Sequence, residues 1–211
     1  MRELLPRTEI PALWALVAWW PLTWILIGIL LSLAHGWWSL LWWLGLPPAL
    51  HRAVGRHVTD GRHAIASVPA FAWWVQYQLQ LPFIRLPWFE EVLRLIPGAA
   101  SAWMALWGGH LSPWAHVAPG VVITDRSRTL IARSAVIGNG VLLGGHAVGR
   151  NRDGVWWVEI GAVHIEAGAV VGARCVIGPG SRVAAGEVVT ATAALPPGTT
   201  WIGGRRELRH D

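Results

Sequence analysis

Two regimes of apolar patterning divide the chain. From Ile10 to Leu50 there is no Asp, Glu, Lys or Arg, and His35 is the one titratable side chain. About 20 apolar residues suffice for a helix to cross a hydrocarbon core of about 30 Å. As a single helix the run would extend about 60 Å, twice that thickness. The pattern therefore predicts a hairpin. Its first arm covers about Leu13 to Ala34, with a break near His35–Gly36. A shorter second arm, re-entrant or tilted, runs from Trp37 to Leu46 or a little beyond and stops at Pro47–Pro48. Residues 1–62 form this membrane hairpin with its basic flanks, after a polar lead from Met1 to Glu9.

Residues 63–108 mix short apolar runs with sparse charge. Phe71, Trp73, Trp74, Phe83, Trp88 and Phe89 are interspersed with Pro82, Pro87 and Pro97, which limit helix lengths. Glu90, Glu91 and Arg94 give the piece after Pro87 one polar face. Two readings stay open here: helices lying in the membrane interface, or helices packed on the hairpin as ordinary core.

After Gly108 the pattern changes to a period of six. Ile165, Val171, Ile177, Val183, Val189 and Leu195 follow one another in register. Four places after successive members stand Ala169, Cys175, Ser181, Glu187 and Ala193, which are mostly small. Two further registers, Ile131–Ile137–Leu143 and Leu111–Val117–Ile123, are offset by a two-residue slip near Arg126–Thr129 and a longer insertion between Leu143 and Ile165. This period is neither the alternation of a strand nor the 3.6 of a helix. It predicts a β-helix over 109–206, each side of a coil turning one aliphatic residue inward, with 207–211 as a tail.

Composition sharpens the membrane reading. Charged residues make up 14% of the chain and mean hydropathy is +0.42, against a charged share of about 25% in ordinary soluble domains. Of the 17 Trp, Trp14, Trp19, Trp20, Trp24, Trp37, Trp38, Trp42 and Trp43 lie inside the apolar run, and Trp favours the headgroup level. All 17 basic residues are Arg. They are scattered, with no dense stripe and no recognition-helix pattern, so no nucleic acid is expected as a partner. Arg2 and Arg7 precede the hairpin and Arg52, Arg56 and Arg62 follow it, which places both ends on the cytoplasmic side. Cys175 is the one cysteine, which excludes intrachain disulfides and Cys-cluster metal sites. The apolar run is too long for a signal peptide.

The repeats Ile165-Glu-Ala-Gly-Ala-Val170, Val171-Gly-Ala-Arg-Cys-Val176 and Ile177-Gly-Pro-Gly-Ser-Arg182 resemble those of the hexapeptide-repeat acyltransferases. The ending from Val188 to Arg206 is similar to that of the maltose and galactoside acetyltransferase branch. The stretch Leu95 to Gly108, with Asp125-Arg-Ser127, is similar to membrane-attached bacterial members. The resemblance covers about Leu111 to Arg206. It implies a mainly β fold, a left-handed parallel β-helix, here preceded by an α-helical membrane-embedded region. It also implies a homotrimer with substrates meeting between adjacent helices, and acyl-CoA or acyl-carrier protein as donor.

His146, in Leu142-Leu-Gly-Gly-His-Ala-Val148, stands where the register breaks and the insertion Gly149 to Val158 begins. The family's catalytic His sits at this kind of junction. An acceptor hydroxyl or amine must lose a proton as it attacks a thioester, and a neutral imidazole can take it. Asp125, Asn139, Asn151 and Asp153 are the candidates for orienting the ring. The sugar acetyltransferases carry an Asn about thirty residues before the His, whereas Trp114-Ala-His-Val-Ala-Pro119 has none. His116 stands nearly at that place as a second candidate. Gly203, Gly204, Arg205 and Arg206 match the segment where the family often places a basic residue near the CoA phosphates. Arg suits phosphate, and a solvated basic tail is the plain alternative.

These readings make the chain a membrane-anchored acyltransferase at the bacterial inner membrane, its β-helix on the cytoplasmic side, acting on a small-molecule or lipid acceptor. A catalytically silent scaffold is the alternative from another class. A γ-type carbonic anhydrase would need two His four residues apart on one coil. His146 and His164 are eighteen apart, and His110 and His116 are six apart, so no metal is expected.

Overall fold

The structure is a computed structural model that describes residues 12–208. The polar lead with Arg2 and Arg7, and the tail beyond 208, lie outside the described residues. The chain divides into two compact units. One is the chain up to Pro82 together with Val148–Val158; the other is Phe83–Ala147 together with the chain from Glu159 onward.

The first unit opens with α1 (Ala12–Ala18) and α2 (Trp20–His35). Among the described residues one helical run, Leu13–Trp38, is long and apolar enough to cross a membrane, and 11% of its most apolar window is buried. Gly36 ends α2 at a φ of 54°, a left-handed conformation that glycine adopts readily. A 3-10 turn (Gly36–Trp38) and a wide π turn (Leu41–Gly45) lead into α3 (Leu46–Gly55). Pro47 and Pro48 sit in the first turn of α3, where a missing N–H costs nothing. They open a helix where the sequence pattern had them closing an arm.

The two arms of this hairpin touch through indoles and hydroxyls. Trp24 Nε1 donates to Trp42 O at 3.2 Å and Trp42 Nε1 returns the bond to Trp24 O at 3.0 Å. Trp43 Nε1 donates to Ser32 Oγ at 3.1 Å, and a β-carbon on Gly28 would stand 2.3 Å from the Trp43 ring. After β1 (Gly61–Ala64), a strand that the apolar pattern did not predict, α4 (Val68–Arg85) runs through Pro82 without ending. Trp14 stacks on Trp74 at 5.4 Å and meets Phe71 at 5.8 Å, and Trp73 is buried. These rings therefore pack against one another within this unit.

In the second unit α5 (Trp88–Leu95) and α6 (Ala99–Trp107) precede the repeats. Phe83, Phe89, Trp103 and Trp107 form an edge-to-face cluster with centroids 5.0–5.7 Å apart. The polar face of α5 is turned onto the first coil. Glu91 Oε1 accepts Gly120 N at 3.0 Å, Arg94 Nη2 donates to Val121 O at 3.1 Å, and Glu90 Oε1 pairs with buried Arg126 at 2.6 Å. Trp88, Val92 and Leu95, on the other side of the helix, are exposed.

The repeats wind as a parallel β-helix with three faces. The first coil contributes β2 (His110–Leu111), β3 (His116–Val117) and β4 (Val122–Ile123). The second contributes β5 (Thr129–Ile131), β6 (Val136–Ile137) and β7 (Leu142–Leu143). The insertion then forms β8 (His146–Arg150) and β9 (Trp156–Ile160), which join β1 in a three-stranded sheet of order β1–β9–β8. The third coil holds β10 (Val163–Ile165), β11 (Val170–Val171) and β12 (Val176–Ile177), and the fourth β13 (Arg182–Val183), β14 (Val188–Val189) and β15 (Ala194–Leu195). A last strand, β16 (Thr199–Ile202), pairs with β13, and β17 (Arg205–Leu208) returns antiparallel to it.

The pairing stacks the predicted aliphatic residues into three columns. Leu111, Ile131, Ile165 and Val183 form one, Val117, Ile137, Val171 and Val189 the second, and Ile123, Leu143, Ile177 and Leu195 the third. All but Val117 are buried. Strand amides of one coil donate to carbonyls of the next, as Ser112 N does to Ile131 O and Ala132 N to Ile165 O, so neither ladder nor core is complete without a neighbour.

Candidate active site

Both departures from the six-residue period fall at one corner. From Leu111 to its partner Ile131 the chain takes 20 residues, whereas from Ile165 to its partner Val183 it takes 18. The extra pair is spent in a 3-10 turn, Arg126–Arg128, just after β4. The insertion leaves just after β7. Because β4 and β7 are paired, Val122 with Leu142 and Ile123 with Leu143, the residues that follow them lie one above the other. Thr124–Asp125 comes from one coil and Gly144–Gly145–His146 from the next.

The result is a hydrogen-bonded pair. Asp125 Oδ2 lies 2.6 Å from His146 Nδ1 and also accepts Gly145 N at 3.0 Å and Thr124 Oγ1 at 2.6 Å. The backbone of Asp125 is held in turn, its carbonyl accepting Thr129 Oγ1 at 3.0 Å. The Asp125 side chain is 4% exposed and that of His146 17%, so the carboxylate is inside and the imidazole reaches solvent. Gly145 is required by this approach, since a β-carbon there would stand 2.7 Å from Asp125 Cβ.

This arrangement fixes a tautomer. A carboxylate that accepts from Nδ1–H leaves the ring's lone pair on Nε2, the nitrogen that can take a proton. It also stabilises the imidazolium once the proton has arrived. Of the four orienting candidates, the structure brings Asp125 to the ring. Asn139 instead donates to Pro119 O at 2.7 Å at another corner. Asn151 caps the insertion turn by accepting Val155 N at 2.8 Å, and Asp153 is exposed in that same turn. Thr124, Gly145 and Thr129 also hold the pair and were not singled out in the sequence. Their signal was adjacency to the slip and to the break.

Three other histidines, His110, His116 and His164, lie elsewhere on the coils. His116 is exposed on β3 and lines a cavity of about 340 Å³ with Glu91, Leu95 and Pro113. His110 and His164 are exposed on β2 and β10. Among the described residues no group of three or more metal-ligating side chains converges. Gly203 and Gly204 form the two-residue turn between β16 and β17, with φ of 59° and 71°, the conformation that glycine tolerates in a type I′ hairpin. Their amides donate to the Glu187 carboxylate at 2.8 and 3.0 Å. Arg205 pairs with Glu207 at 3.2 Å, and Arg206 Nη1 donates to Ala194 O at 3.2 Å. Both arginines are exposed.

No family model and no curated protein matches the chain. Among solved structures, it is similar to a hexapeptide-repeat acetyltransferase from Vibrio cholerae, at 19% identity over 55% of this chain and 84% of that one, with a TM-score of 0.36. A maltose O-acetyltransferase from Clostridium difficile 630 aligns at 11% identity over 61% of this chain and 86% of that one, TM-score 0.29. A serine acetyltransferase from Neisseria gonorrhoeae aligns at 14% over 92% and 96%, TM-score 0.24. All three TM-scores lie well below 0.5, and the site stands on this chain's own geometry.

Proposed function

We propose that the protein is a membrane-anchored acyltransferase that moves an acyl group from acyl-CoA or acyl-carrier protein to a hydroxyl or amine, with His146 as general base. The observation that carries this reading is the His146–Asp125 pair, built where two irregularities of an otherwise regular coil coincide. As the acceptor oxygen or nitrogen bonds to the thioester carbonyl carbon, its proton passes to His146 Nε2. The tetrahedral adduct collapses, the C–S bond breaks, and the departing sulfur takes the proton from the imidazolium to leave as a thiol. Asp125 stays ionised throughout and holds the ring.

The finer parts of the proposal rest on the hexapeptide resemblance and the apolar run. The coils wind left-handed, and the active form is a homotrimer. Arg205 and Arg206 meet the donor's phosphates, since the Gly203 and Gly204 amides already serve Glu187. Leu13–Trp38 anchors the chain in the bacterial inner membrane with the β-helix on the cytoplasmic side, and the acceptor is lipid-linked. Purified protein in detergent should release free thiol from acyl-CoA or acyl-carrier protein only when an acceptor is present. His146→Ala should lower turnover about 10² to 10⁴-fold, and Asp125→Asn should lower it with the melting curve nearly unchanged. Near-normal turnover by His146→Ala at saturating substrate would sink the assignment, while no thiol release from either donor would favour a silent scaffold.

A further inference from the structure

The first unit holds a cavity of about 420 Å³, within the range of small-molecule sites. Its walls come from α1, α2, α3 and α4 and are mainly aliphatic, with Leu16, Leu50, Val54 and Leu79 among them. Two of the lining residues break that character. Trp20 Nε1 and Gln78 Oε1 are both buried with no hydrogen-bond partner among the described residues. Gln78 as a whole is 3% exposed. A buried donor and a buried acceptor left unmade are each costly. The neighbouring polar side chains of the same helices are treated differently: Gln76 donates to His51 O at 2.9 Å and Gln80 to Gln76 O at 3.3 Å. Thr23, also in the wall, donates back to Trp19 O at 3.1 Å.

We propose that this cavity binds a single-chain neutral lipid whose polar end is a hydroxyl. The aliphatic walls take the chain. A hydroxyl supplies both missing partners, accepting from Trp20 N–H and donating to the Gln78 amide oxygen. A charged head is disfavoured, because among the described residues no Arg, His, Asp or Glu lines the cavity and an unpaired charge would be buried there. The inference does not rest on acyl transfer, since binding can be measured with no donor present.

The test is equilibrium binding to the full-length protein in detergent, with radiolabelled 1-hexadecanol, hexadecane and palmitate as probes. Hexadecanol should bind saturably at one per chain and be preferred to both others. Gln78→Leu, which removes the amide, and Trp20→Phe, which removes the indole N–H with part of the ring, should lower hexadecanol affinity roughly 2- to 10-fold and change hexadecane affinity less. Val75→Trp, which fills the cavity, should abolish binding of every probe, with gel filtration reporting that each variant stays folded. Equal binding of alcohol and alkane, or a preference that survives both Gln78→Leu and Trp20→Phe, would overturn the proposal. Palmitate binding as tightly as hexadecanol would also overturn it. His146→Ala should bind as the parent does, so loss of turnover and loss of this site are read separately.

Discussion

The helical unit and the coiled unit hold themselves together by opposite means. In the coils every interior position is one rung of a column, and Ile137, Val171 and Val189 do the same work one level apart. Remove the numbering and the rungs are interchangeable. In the helical unit the contacts are single and particular: Trp24 trades hydrogen bonds with Trp42, and Gly28 makes room for the Trp43 ring. Leu33 and Leu30 are turned outward. Repetition explains the whole interior of the coils and provides no chemistry. The hydrogen-bonded His146–Asp125 pair stands where repetition fails.

The sharpest way to break this contrast is to empty one rung. Ile165→Ala, at a fully packed position, should cost about 2–5 kcal/mol, read as a fall in denaturation midpoint. Leu33→Ala, at a site 81% exposed, should shift stability in detergent by less than about 0.5 kcal/mol. Equal costs would mean that the helical unit is packed like the coils.

A next substitution separates the irregular corner from the ladder around it. Gly145→Ala would push its β-carbon against Asp125, displacing the pair without touching an aliphatic column. Turnover should drop by about 10²-fold, the scale of a misplacement near 1 Å, while the melting temperature changes little. A large loss of stability with normal turnover would show that Gly145 serves the fold and not the site.

A smaller effect lies on the outer faces of the coils. The hydrogen bond and charge of Arg182, 2.6 Å from the Glu166 carboxylate, hold its pKa below the ordinary value and raise that of Arg182. A depressed carboxylate stabilises the fold above its unfolded pKa, and that stability is lost as pH falls through the lower folded value. Both side chains are solvent-exposed, so the pair should contribute no more than about 1 kcal/mol. The gap in melting temperature between parent and Glu166→Gln should be small at pH 7 and close on acidification. A gap that widened in acid would reverse the sign and reject this account.

The smallest effect should be none at all. Burial pushes the Cys175 thiol up and seals it inside the coil, so maleimide should not label the native protein. Labelling should begin only with unfolding, which leaves the chain a silent background for introduced cysteines that map its topology. Rapid labelling of the folded protein would contradict the stacking of the coils.

Most of the coil architecture was legible because a period of six needs no knowledge of tertiary contacts. The aliphatic residues, the slip at Arg126–Thr129 and the insertion after Leu143 could all be read from spacing alone. What spacing could not reveal was that slip and insertion share a corner. That follows from the pairing of β4 with β7, and it is why four residues stayed open as partners of His146 when Asp125 is the one beside it. The helical unit was legible in its apolar length and its turn at Gly36, and less so in detail. Pro82 sits inside a helix because tertiary packing outweighs the lost amide bond. Glu90 and Glu91 read only as part of one polar face because sequence gives a helix its two faces without saying what each face meets.

A stack of coils is in principle endless, since its last rung offers the same edge as any other. Here growth is hindered at both ends. At the first coil α6 lays Met104 against the column, where another coil would otherwise seat itself. At the other end β17 turns back, takes the outer edge of β16 in antiparallel sense and sets Arg205 and Arg206 along it. A second molecule approaching along the axis meets a strand running the wrong way and studded with charge, a barrier to edge-to-edge polymerisation. One of the three faces is thereby closed to an added coil.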